Sequence, residues 1–86
     1  MIYIVEDDPN IRQMESYALK MSGFETMEFT DGKSFFKEAR RMPPEIIILD
    51  IMLPDEDGLS ILKRLREEPK TRHIPVIIVS AKSAEL

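Results

Sequence analysis

Apolar residues fall along this chain in two alternating patterns. Solid runs occupy residues 2–5 (Ile-Tyr-Ile-Val), 46–49 (Ile-Ile-Ile-Leu) and 76–79 (Val-Ile-Ile-Val). Short β-branched runs of this kind suit strands buried on both faces. Residues 24–29 read as a further strand, less apolar and so nearer an edge. Between the runs the spacing turns helical. Ile11, Met14, Ala18 and Met21 mark one stripe, and Phe35, Phe36, Ala39 and Met42 mark a second over 34–42. Leu59, Leu62 and Leu65, flanked by Ile61, mark a third. Asp8-Pro9 opens the first helix as cap and first residue, and Gly23 ends it. Thr30-Asp31-Gly32 is a turn able to cap the second, while Pro43-Pro44 and Pro69 stop the second and third.

The resulting order, β-α-β-α-β-α-β, predicts a parallel sheet with helices on both faces. Right-handed crossovers leave few topologies open. With 86 residues, one domain is the ceiling, and 43% hydrophobic with 33% charged residues is a globular composition. The absence of cysteine excludes a disulfide scaffold, a thiol nucleophile and a cysteine zinc site, and fits a reducing compartment. No apolar run approaches the ~20 residues that cross a bilayer. The N-terminus lacks the basic start and cleavage site of a signal peptide. These features predict a cytoplasmic protein with no membrane contact. A net charge of −4 argues against direct contact with nucleic acid.

Candidate chemistry sits where the apolar runs end. Val5 is followed by Glu6-Asp7-Asp8, Leu49 by Asp50, and Val79 by Ser80. Ligands of open parallel sheets bind beyond the carboxyl ends of the strands, so neighbouring strands would bring these groups to one site. Carboxylates held close repel, and a hard divalent cation relieves the repulsion. Glu6, Asp7 and Asp50 therefore form a plausible Mg²⁺ site. A carboxylate can also attack phosphorus to form an aspartyl phosphate, and a serine hydroxyl can bond a phosphoryl oxygen.

Three segments carry a resemblance. They are Val5-Glu6-Asp7-Asp8, the stretch Leu49-Asp50-Ile51-Met52-Leu53-Pro54-Asp55-Glu56-Asp57-Gly58, and Pro75-Val76-Ile77-Ile78-Val79-Ser80-Ala81. In order and spacing they resemble the signature of the response-regulator receiver domain of two-component signalling. The resemblance implies a flavodoxin-like doubly wound sheet with strand order 2-1-3-4. It implies that Asp50 accepts phosphate from a histidine kinase or phosphotransfer protein, with Mg²⁺ as cofactor. Asp7 would be a direct metal ligand, Glu6 would act partly through water, and the backbone carbonyl of Met52 would be a further ligand. Ser80 matches the switch hydroxyl, and Asp8 the helix cap. The whole chain, residues 1–86, matches.

The match is to a receiver domain cut short. The family fold runs on for about one third more chain, with a fifth strand ending in Lys-Pro between two helices. Lys82, only two residues past Ser80, does not match the family lysine that contacts the phosphoryl group. About four strands and three helices are therefore expected. So are impaired phosphorylation of these residues and homo-association through an exposed apolar edge at 76–79.

Two other readings compete with a phosphoacceptor switch. One is a protein-interaction module that works without phosphate. The other is a phosphatase with an aspartyl nucleophile. Such hydrolases carry a general acid two residues after the nucleophile, where this chain has Met52. The expectation is therefore a switch and not an enzyme. Asp55-Glu56-Asp57 lacks the spacing of an EF-hand and reads as loop and helix N-terminus. His73 reads as a surface residue. The methionines read as core filler, and 63–68 as a solvated helix face with i,i+4 pairs.

Overall fold

The computed structural model describes residues 1–79. The chain runs β1 (Ile2–Val5), α1 (Pro9–Met21), β2 (Thr26–Phe29), α2 (Gly32–Arg41), β3 (Ile46–Asp50), α3 (Gly58–Glu67) and β4 (Val76–Val79). All pairings are parallel and the strand order is β2-β1-β3-β4. Among the described residues there are four strands and three helices, in the flavodoxin-like order expected from sequence.

Each helix begins where its cap allows. Asp8 accepts from the amides of Asn10 and Ile11, and Pro9 fills the first position, where no amide is needed. Asp31 and Asp57 cap α2 and α3 in the same way. α1 ends at Met21, and just past its cap Gly23 adopts φ +93° while the Phe24 amide reaches back to the Leu19 carbonyl. Such a left-handed closure suits a residue without Cβ.

Strand alternation divides the sheet into two unequal faces. On one face Tyr3, Val5, Ile47 and Leu49 join Phe35, Phe36 and Ala39 of α2 and Ile61 and Leu65 of α3 in the main core. Tyr3, Phe29 and Phe35 meet with centroids 5.0–6.4 Å apart, at tilted or edge-on angles. On the other face α1 packs over β1 and β2, where Ser16 and Thr26 share a hydroxyl bond of 3.1 Å. Among the described residues nothing covers that face over β4, and Ile77 is 52% exposed.

The α1 stripe lies elsewhere than the periodicity predicts, while in α3 Leu62 and Leu65 face the core as expected and Leu59 alone of the three leucines does not. Met14, Ala18 and Met21 face away from the sheet, and Ile11, Glu15, Ser16 and Leu19 face toward it. Polar anchors set this rotation. Arg12 bonds the carbonyls of Glu6 and Asp7, and Ser16 bonds Thr26. In α3, Ile61 occupies the centre of the buried face and Leu59 is exposed. Of the methionines, Met27 alone packs against the core among the described residues. The 63–68 charges pair across elements: Arg64 reaches Glu56, and Glu68 reaches Arg40. His73 is exposed, as predicted. The second strand begins at Thr26 and not at Phe24, which is half exposed.

This packing makes a contrast between two helical side chains testable. Phe35→Ala removes a fully buried ring and should cost about 3–5 kcal/mol. Met14→Ala, on the outer face of α1, should change stability by no more than about 0.5 kcal/mol. Urea unfolding followed by circular dichroism measures both.

Candidate functional site

β1 and β3 pair in a register that sets Val5 beside Leu49. The next residues, Glu6 and Asp50, therefore leave the same sheet edge as neighbours. Both are buried, at 1% and 2% exposure, whereas Asp7 is half-buried. Each of the three offers a carboxylate oxygen, and these oxygens lie within 4.8 Å of one another. The structure thus brings together the three acids predicted from sequence.

The loops around them are held by backbone bonds. The Glu6 amide continues the ladder to the Phe29 carbonyl at 2.9 Å. One Glu6 oxygen accepts the Asp8 amide at 3.1 Å. The Arg12 guanidinium donates to the carbonyls of Glu6 (3.0 Å) and Asp7 (3.3 Å) and pairs with Glu28 of β2 at 3.3 Å. After Asp50, the Gly58 amide closes the loop on the Ile51 carbonyl at 2.7 Å. A Cβ at Gly58 would stand 2.5 Å from the Asp50 carbonyl oxygen, so only glycine lets α3 begin against the end of β3. Within that loop Met52 bridges to Asp57. Val79 is the register partner of Asp50, and its carbonyl accepts the Ile51 amide at 3.2 Å. Ser80 and Lys82 lie outside the described residues.

The electrostatics are those of acids in want of a cation. Burial, and then the nearby Asp50, push the Glu6 carboxyl up to about 7. One Asp50 oxygen is buried with no hydrogen-bond partner among the described residues. Buried, unsatisfied carboxylate oxygen is costly. A small hard ion that takes oxygen ligands and few carboxylates fits this donor set, which is the chemistry of Mg²⁺.

Three participants were not legible as such in the sequence. Arg12 reads there as an ordinary helix residue. Glu15 lies on the inner face of α1, with one buried oxygen lacking a partner among the described residues. Burial first, and Asp50 second, raise its pKa. Asp55, read from sequence as part of the loop and helix N-terminus before α3, accepts the Gly32 and Lys33 amides of α2 at 2.9 and 3.2 Å. No local signal announces a bond over so long a stretch of chain.

A parallel sheet with an acidic cluster at the carboxyl ends of β1 and β3 defines a class of open α/β folds whose strand-end acids could hold a metal ion. Comparison narrows it to one family. The response regulator receiver domain matches over residues 2–86, and the chain belongs to that family. It is 39% identical over 83 residues to the probable transcriptional regulatory protein TcrX of Mycobacterium tuberculosis, covering 96% of this chain and 35% of that protein. It is 37% identical over 84 residues to the phosphate regulon transcriptional regulatory protein PhoB of Escherichia coli, covering 98% and 37%. The crystal structure of the N-terminal domain of a response regulator receiver protein from Methanoculleus marisnigri superposes with a TM-score of 0.88 at 32% identity. That match covers 94% of this chain and 66% of the other. The chain thus spans a little over one third of the length of these curated relatives.

The raised Glu6 carboxyl gives the fold a pH dependence of known sign. In the unfolded chain Glu6 titrates near its ordinary value of 4.5, and in the fold near 7. The stability tied to burying its neutral form is fully present below the first value and is lost as pH rises through the second. Metal-free protein should therefore melt at falling temperature from pH 5 to pH 8. Glu6→Gln should flatten part of that decline, and thermal melts in chelator read the difference.

Proposed function

We propose that this chain is the phosphoacceptor switch of a two-component regulator, modified on Asp50. The observation that carries the reading is the buried Asp50 carboxyl. One of its oxygens has no hydrogen-bond partner among the described residues, and a carboxylate oxygen of Asp50 lies within 4.8 Å of the Glu6 and Asp7 oxygens. Membership of the receiver family supports the same reading.

In this proposal Glu6, Asp7, Asp50 and the backbone carbonyl of Met52 hold Mg²⁺. When bound, the ion offsets negative charge on the transferring phosphoryl group. An Asp50 carboxylate oxygen forms the new bond to phosphorus as the bond from phosphorus to the donor imidazole nitrogen breaks. The leaving imidazole keeps the electron pair and takes up a proton. The donor is a histidine kinase or a histidine phosphotransfer protein. The Ser80 hydroxyl donates to a phosphoryl oxygen and carries the change outward. Arg12 keeps the backbone under both acidic residues in place. Met52 stands where aspartyl phosphatases keep their general acid, which favours a persistent mark over rapid turnover.

The named relatives are transcriptional regulators, and we assign this chain the input role in a cytoplasmic regulator of that kind. Contact with DNA falls outside these acidic residues. The β4 edge has no partner strand among the described residues. An apolar parallel edge pairs readily with a second copy, so the 86-residue chain associates with itself through residues 76–79.

Two measurements test these assignments. Beryllofluoride with Mg²⁺ should give saturable NMR shifts around Asp50 and Ser80, and a phosphoramidate donor should add one phosphoryl group by mass. Asp50→Asn should abolish both, and an unaltered response in that variant would refute the acceptor. Light scattering should show mass rising with concentration, whereas a constant monomer mass would refute pairing through β4.

A further inference from the structure

Beyond the acidic cluster, the molecule holds a set of contacts that the phosphoacceptor reading does not use. The loop of residues 51–57 follows Asp50 and, in the Mg²⁺ site proposed above, supplies the Met52 carbonyl. Internally it is closed by the Gly58 amide on the Ile51 carbonyl and by the Met52–Asp57 bridge. Externally two carboxylates tie it to different helices. Glu56 takes both its oxygens to the Arg64 guanidinium of α3, at 2.6 and 2.7 Å. Asp55 takes its two oxygens to the Gly32 and Lys33 amides, which open α2.

The bond to α2 is more than a helix cap. α2 already has its own cap, because Asp31 accepts the Ser34 amide at 2.7 Å. Asp55 instead uses two further free amides of the first turn as a fixed anchor for the loop. The anchor has little room to shift. A Cβ at Gly32 would meet the Ile61 side chain at 3.0 Å, and Gly32 itself is buried. Arg64, the anchor of Glu56, lies 4.0 Å over the Phe36 ring of α2, so both ties end on the same helix pair.

We propose that Asp55 is a positioning residue, whose bidentate grip on the α2 amides holds the 51–57 loop in its metal-binding shape. The inference rests on the Mg²⁺ site proposed above. A backbone carbonyl is a weak ligand unless the loop is already ordered, since ordering it on binding costs conformational entropy. The anchor supplies that order before the ion arrives. Linkage then runs both ways: the ion must tighten the bond between Asp55 and α2 by the factor that the bond tightens the ion.

The test is Mg²⁺ binding followed by amide NMR and calorimetry on the 86-residue chain and three variants. Asp55→Ala should weaken Mg²⁺ on the order of tenfold, as loss of an outer support commonly does. Asp55→Asn keeps one acceptor and should fall between. Asp31→Ala removes the helix's own cap, and should lower stability while leaving the Mg²⁺ affinity within about twofold of the original. In the unsubstituted chain, Mg²⁺ should shift the Gly32 and Lys33 amides and slow their hydrogen exchange, and Asp55→Ala should erase that response. Binding by Asp55→Ala or Asp55→Asn as tight as by the unsubstituted chain overturns the positioning role alone. Failure of the unsubstituted chain to bind Mg²⁺ overturns both this role and the metal site it serves.

Discussion

The parallel pairing of β1 with β3 is the constraint from which the site follows. Parallel strands leave a sheet on the same side, so their registered ends deliver the next residues to one place. Here those residues are Glu6 and Asp50. Two acids at such an edge lose water and repel at once, which is why the Glu6 carboxyl titrates far above the ordinary glutamate range. The fold accepts that cost because the strands carrying the acids are the best buried in the molecule. Ile4, Val5, Ile47 and Leu49 are all fully inaccessible. Apolar burial of this kind holds unfavourable polar placements that a looser scaffold would relax.

Around that edge the chain divides its work between loops and helices. The loop after β1 is supported from α1, where one guanidinium holds two consecutive carbonyls and the side chain of Glu28 on β2. The loop after β3 is supported from α2 and α3 through carboxylates. Charge is used in opposite senses on the two sides: a cation grips carbonyl oxygens, and anions grip amides and an arginine. Both arrangements exploit backbone groups that secondary structure leaves unpaired. The aromatic cluster of Tyr3, Phe29, Phe35 and Phe36 lies beneath, and the Tyr3 hydroxyl reaches the Met42 carbonyl at 2.6 Å where α2 ends.

Much of this was legible in the sequence. Strand runs, caps and proline stops gave every element, and the acids at the strand ends gave the site. Helix rotation was not legible, because apolar spacing in α1 fits its outer face and the anchors that turn it inward are polar. Arg12, Ser16 and Glu15 stand at positions where a periodicity argument expects solvent. In α3 a leucine-only count favours Leu59 over Ile61, yet the cap at Asp57 and the contact of Gly58 with β3 fix which side is buried. The role of Asp55 depends on a bond to a distant turn, which one sequence has no means to display.

The uneven covering of the sheet has a consequence for how the molecule opens. Among the described residues β1 and β3 have neighbours on both edges, while β4 has one edge paired and a half-covered face. Segments with few buried contacts open at lower free energy than the global unfolding reaction. The acidic side of the site therefore sits on the part of the chain that opens last. Val79, the register partner of Asp50, sits on a strand that is less buried within the single chain. A well-buried pair of strands beside a less covered one can keep its acids in register while the neighbouring strand moves.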